Sequence, residues 1–380
     1  MFLRALLVAT VMTASLVAGQ VSAGPATAGP VPDRTAATYV PVPGPGWYLA
    51  LVDHGRPGDY GIEPSRQRLE LVDPDGAESR ILGVDVGRHG RGSAQLVDWS
   101  TDGSTALLLV DPGLRSQHAV IVDVATGATT TVPLGERVSS VLLDGSDTLL
   151  VTGWTNGGDG GAPLWRIDLA GGRSRLAARV DGSILPSPDG STIVTGTRDW
   201  SGHGVRVLDR DGRVRQRMAT STHCTPVRWW DRSRVELRCW SRRSLTLSLA
   251  DVATGEVSAL THPHGKDSAD LGDVDARRID SGLYLQASGP CGYYFLAHQL
   301  RDGSVEPVKV PHAVGNVLLV AGEGHELVVE HAVSCDGAAP RSALGRFDPV
   351  THEERVLTLL PENEAFDRIL PYGERQASAY

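Results

Sequence analysis

Lysine is almost missing from this chain. Only Lys266 and Lys309 occur in 380 residues, so arginine carries nearly all the positive charge. Arginine in place of lysine is the mark of a GC-rich genome and bears on ancestry, not on function. The formal charge of -9 comes with no basic stripe, which excludes nucleic-acid binding as the expected role. Beyond the first two dozen residues no apolar run is long enough to span a bilayer. There is no G-x-S-x-G and no stretch left over to build an α/β-hydrolase sheet. The glycine-rich Gly157–Gly161 is not followed by Lys-Ser/Thr, so it is a flexible connection and not a phosphate loop. Cysteine is scarce, with four residues and no C-x-x-C spacing, which argues against a structural zinc site.

The N-terminus is the first positive feature. Arg4 precedes an apolar stretch, Ala5 to Gly19, and Val21-Ser22-Ala23 is a small-x-small cleavage site. Ala26-Thr27-Ala28 is a second such site. Residues 1–23 therefore read as a secretory signal peptide, followed by a Pro/Gly-rich leader (24–46) and one domain (47–380). Export by the Sec pathway to the extracellular space is the expectation, with no stable membrane anchor.

What fills the domain is a repeat. A hairpin turn recurs at Asp75-Gly76, Thr126-Gly127, Gly171-Gly172, Asp211-Gly212, Thr254-Gly255, Asp302-Gly303 and Thr351-His352. The intervals, roughly 40 to 51 residues, are the size of one four-stranded propeller blade. Gly is favoured there because the tight turn needs positive φ. An apolar-x-Asp segment precedes six of the seven turns, at Asp73, Asp123, Asp168, Asp209, Asp251 and Asp348. These aspartates cap the turns by accepting backbone N–H groups; spread one to a blade, they do not converge as calcium ligands would. The expected fold is all-β, a seven-bladed β-propeller of four-stranded antiparallel blades, with six or eight blades as alternatives. The first repeat lacks an innermost strand, and the C-terminus has a surplus one. Asp367–Tyr372 is thus expected to complete the first blade and close the ring.

The cysteines suit an oxidising compartment. Cys224 and Cys239 fall opposite each other if the chain turns at Asp231-Arg232, which predicts one disulfide between them. Cys291 and Cys335 occupy equivalent positions on neighbouring repeats and are expected to form the second. Free buried cysteines are the alternative.

The turns Trp99-Ser-Thr-Asp102-Gly103-Ser104 and Pro186-Ser-Pro188-Asp189-Gly190-Ser191 resemble the Ser-Pro-Asp-Gly repeats of TolB-type propellers. Only Pro186–Ser191 matches that motif fully. Cys224-Thr-Pro-Val-Arg-Trp229-Trp230, with Gly289-Pro-Cys291-Gly292, is similar to secreted actinobacterial TolB-like proteins of unestablished function. The resemblance implies a propeller scaffold used for binding. The envelope complex in which the best-known members act is not carried over.

Two groups of residues are candidates for a site. His262, His264, Asp267, Asp270 and Asp273, on the connection between blades five and six, are metal-ligand types; the plainer reading is a solvated loop. Trp229, Trp230, Tyr293 and Tyr294 concentrate scarce aromatic surface near the cysteines and could stack on a sugar or peptide, though burial explains them as well. The function expected is a non-catalytic scaffold for a protein or cell-envelope ligand, monomeric and without a cofactor. The alternative is a secreted enzyme acting on a glycan or small molecule at the channel mouth, with or without a metal.

Overall fold

A computed structural model describes residues 41–58, 61–87, 92–112, 117–135, 137–145, 147–153, 161–180, 183–196, 204–241, 244–264, 270–289, 293–333 and 341–377. The expected signal peptide and most of the leader lie outside the described residues. So do Cys291, Cys335, Asp267 and Gly157–Gly160.

The described strands form seven blades of four, each running from the channel outward. Blade 1 is Glu364–Pro371, Tyr48–Gly58, Gly61–Val72 and Glu78–Asp85; blade 2 is Ala94–Trp99, Thr105–Val110, His118–Asp123 and Thr129–Pro133. Blade 3 is Val138–Leu143, Thr148–Gly153, Ala162–Asp168 and Arg173–Val180; blade 4 is Ile184–Pro186, Thr192–Gly196, Gly204–Asp209 and Val214–Ala219. Blade 5 is His223–Trp229, Arg234–Trp240, Leu245–Asp251 and Val257–Ala259; blade 6 is Gly272–Ile279, Gly282–Ser288, Tyr294–Gln299 and Val305–Val308. Blade 7 is Ala313–Glu323, Glu326–Val333, Arg341–Asp348 and Glu353–Leu359. Pairing within blades is antiparallel. A single parallel pair, Leu245 with Gly272, fuses blades 5 and 6 into one eight-stranded sheet.

The repeat reads through to the backbone. All seven landmark turns carry a left-handed residue, from Gly76 (φ 92°) and Gly127 (φ 67°) to His352 (φ 60°). The aspartates before them cap as expected: Asp73 accepts the Asp75 and Ala77 N–H groups at 2.9 and 2.8 Å, and Asp251 those of Ala253 and Thr254. In blade 6, which lacks that aspartate, Asp302 caps from inside the turn by accepting the Ser304 N–H.

The C-terminal strand closes the ring. It spans Glu364–Pro371, three residues earlier at its start than expected, and pairs with the strand beginning at Tyr48. Arg68 grips both Glu364 carboxylate oxygens, at 2.6 Å on Oε2, which ties the closing strand to the rest of its blade. The hydrophobic core is divided among the gaps between blades. Leu49, Leu69, Trp99 and Leu108 pack between blades 1 and 2, and Tyr48, Val328, Leu344 and Phe366 between blades 7 and 1. Because both faces of a blade are covered, middle strands are apolar throughout, as in Thr105-Ala-Leu-Leu-Leu-Val110. The end of the expected leader is packed as well: Trp47 N–H donates to Gly44 O.

Up-and-down blades give the ring two ends. The turns from first to second and from third to fourth strand lie at one, the turn end. The links from second to third strand and from blade to blade lie at the other, the connection end.

Candidate functional site

At the connection end, three large apolar side chains are exposed in one row: Trp240 (40%), Leu271 (44%) and Tyr293 (44%). Backbone geometry sets the row. Trp240 pairs in register with Leu245; the Leu245 N–H donates to Leu271 O at 2.8 Å; the Leu271 N–H donates to Ser288 O at 2.6 Å; and the Gly289 N–H donates to Tyr293 O at 2.6 Å. The predicted Cys224–Cys239 disulfide is formed, between residues directly opposite in the hairpin. It stands one position from Trp240, whose ring lies 5.3 Å from that of His223.

The polar cluster lies beside this row. His264 is held between two carboxylates, Nδ1 to Asp270 Oδ2 and Nε2 to Asp273 Oδ1, each at 2.7 Å. Hydrogen bonding to Asp273, outweighing burial, raises the imidazole to about 9. Burial raises Asp273 as well, and His264 offsets part of that. With both ring nitrogens engaged, the group is an ion-pair clamp holding the blade 5–6 connection onto the inner strand of blade 6. His262 lies apart from it, against the blade 6 turn at Gly303. Among the described residues no group of three or more His, Cys, Asp or Glu side chains is placed to hold a metal.

The aromatic candidates separate. Trp229 is buried between blades 4 and 5 and its indole N–H donates to Pro186 O at 2.9 Å; Trp230 packs toward the core between blades 5 and 6, with the Arg228 guanidinium 4.8 Å from its ring. Tyr293 is on the surface, 6.2 Å from Phe295, while the Tyr294 N–H donates to Asn316 of blade 7.

A third feature escaped sequence reading. A cavity of about 360 Å³ in the central channel is lined by Gln95, Asp275, Gln286, Glu330, Asp367 and Arg368, drawn from blades 1, 2, 6 and 7, with Gln376 beyond them. The Glu330 and Asp367 carboxyl groups have no hydrogen bond or ion pair among the described residues. Burial, reinforced by each acid's neighbouring carboxylate, pushes Glu330 up to about 8 and Asp367 up to about 7.

Toward the turn end the channel charges are paired. Arg228 meets Glu236 Oε2 at 3.0 Å and Asp275 at 3.3 Å, and Arg277 meets Asp275 at 2.8 Å and Glu374 at 3.3 Å. Burial raises Glu236; it would raise Asp275 too, but the Arg277 and Arg228 guanidiniums hold that carboxyl below its ordinary value.

No family model matches the sequence, and no curated protein matches it. The fold, however, is shared with solved structures. A puromycin-hydrolysing peptidase of Mycobacterium tuberculosis superposes with a TM-score of 0.51 at 16% identity, over 83% of this chain and 54% of the peptidase. Prolyl endopeptidases superpose with a TM-score of 0.51 at 12% identity, over 85% and 51%. TolB from Acinetobacter baumannii gives 0.47 at 14%, over 87% and 68%. The chain thus spans about half the length of the two peptidases. At these identities the likeness shows the fold alone.

Proposed function

We propose that this protein is a secreted, TolB-like, non-catalytic propeller that binds a protein or cell-envelope ligand at the connection end of blades 5 and 6. The observation that carries the reading is the row Trp240, Leu271 and Tyr293. Three large apolar side chains are held exposed on a backbone fixed by a disulfide on one side and the His264 clamp on the other. Isolated exposed apolar residues need no explanation, but three on segments tied together by backbone hydrogen bonds are a form that a binding surface takes. The test is capture from the cell envelope of the producing organism by the full chain and by the triple variant Trp240→Ala/Leu271→Ala/Tyr293→Ala. A ligand held by the wild type and lost by the variant is expected; equal capture by both sinks the reading.

A second reading has one observation in its favour. Glu330 and Asp367, from different blades, face one cavity and hold their protons near neutral pH, as a general acid must. Turnover of a glycan or small molecule by the wild type, abolished in Asp367→Asn and Glu330→Gln, would establish it in place of the first.

A further inference from the structure

The seven blades each have four strands without any residue after Pro371. The chain nevertheless continues across the turn end of the channel. Tyr372 sets its ring edge against Trp99 of blade 2, with centroids 5.7 Å apart. The next residues reach the inner strand of blade 5 and lie on its channel-facing edge. There the Ala377 N–H donates to Val227 O at 2.7 Å, the Trp229 N–H donates to Arg375 O at 3.2 Å, and Gln376 bridges Arg228 in antiparallel sense. This is strand addition to an edge that no blade strand covers, a mode in which main-chain bonds supply affinity and alternate side chains supply selectivity.

The side chains fit the edge by charge. Arg375 is 3% exposed and its Nη1 donates to Leu143 O of blade 3 at 2.6 Å. The Leu143 N–H in turn donates to Asp98 of blade 2 at 2.9 Å. Asp98 is buried and raised by that burial, and Arg375 is the charge that offsets it most. Glu374 meets Arg277 of blade 6. One short segment thus finds an acceptor and a buried anion for its arginine, a guanidinium for its acid, and a β-edge for its backbone.

We propose that the turn end of the channel is a recognition site for an extended peptide carrying an acidic–arginine pair, filled in this structure by Glu374–Ala377 as a built-in, displaceable ligand. The site shares no residue with the exposed row at the connection end, so the two proposals fail independently.

The test uses the full chain carrying Arg375→Ala/Ala377→Pro, which removes the guanidinium and the N–H that bonds Val227. The probe is a fluorescein-labelled synthetic peptide with the sequence of residues 372–380, followed by anisotropy. The released variant should bind it at least about tenfold more tightly than the wild type, whose site is filled. A probe with alanine at the arginine position should bind about tenfold more weakly than the native one. Equal, or absent, binding by wild type and variant overturns the proposal, as does equal binding of the two probes. Loss of the far-UV circular dichroism of the propeller in the variant overturns it too, because the segment would then be part of the fold and not a ligand.

Discussion

The two ends of the channel are built from the same repeat and finished differently. At the turn end, charge is buried and cross-connected: Arg228, Glu236, Arg277 and Asp98 are each nearly inaccessible and are offset by neighbours within their blade, from other blades or from the C-terminal segment. At the connection end, apolar surface is exposed and the polar groups serve to hold loops. Short turns leave no spare residues, so the turn end can only be elaborated by a segment arriving from elsewhere. The connections have length to spare, and the apolar row and the His264 clamp are set at or beside them.

That contrast can be broken experimentally, beginning with the ring itself. Removing Glu364–Tyr380 deletes the closing strand and exposes the edge at Tyr48; cooperative thermal unfolding should be abolished. A truncated chain that melts like the intact one would mean that closure does not hold the ring together. Arg228→Ala comes next. It strips the cation from Glu236 and Asp275 and should cost about 3–5 kcal/mol in denaturant unfolding. A cost near zero would show the turn-end charges to be solvated and the contrast unreal.

The connection end should be less sensitive and depend on pH. His264→Gln removes two charged hydrogen bonds and should cost about 2 kcal/mol at pH 6. The His264 pKa is raised from 6.5 to about 9 in the folded protein, so its contribution is complete below pH 6.5 and is lost as pH rises through 9. Wild type and variant should therefore converge in melting temperature by pH 10; a constant gap would assign the effect to packing. The smallest effect, of opposite sign, belongs to Asp367→Asn. Asp367 is raised to about 7, so the native state binds a proton that the unfolded chain has released, and stability falls as pH rises through 7. The amide removes that loss, and the variant should melt slightly higher than wild type at pH 8.5 but not at pH 4. The reverse order would place the carboxylate in a favourable environment.

The repeat, the turn glycines, the capping aspartates, the closing strand and the Cys224–Cys239 pair were legible because each is local or periodic. Trp229-Trp230 shows where legibility stops. Adjacent strand residues point to opposite faces, and in a propeller both faces are cores, so neighbouring tryptophans enter two different interfaces. Tyr293, three residues before Leu296, the first buried side chain of its strand, was readable only as a candidate. Glu330 and Asp367 gave no signal, since a polar residue alternating with apolar ones reads as solvent-facing, and here the solvent side is the channel. Arg375 is illegible for a plainer reason: the carbonyl it meets is 232 residues away.

The single parallel pair between Leu245 and Gly272 has a structural consequence. Gly272 takes φ +100°, and a Cβ there would stand 2.1 Å from Leu245 O, so the two backbones can meet only at glycine. Other neighbouring blades meet through side chains and isolated backbone bonds, such as Ala177 N–H to Asp211 O and Asp280 N–H to Gly324 O. Among the described residues blades 5 and 6 are therefore the neighbours joined by strand pairing as well as by side chains. The proposed docking surface of Trp240, Leu271 and Tyr293 would thus rest on strands hydrogen-bonded across a blade boundary.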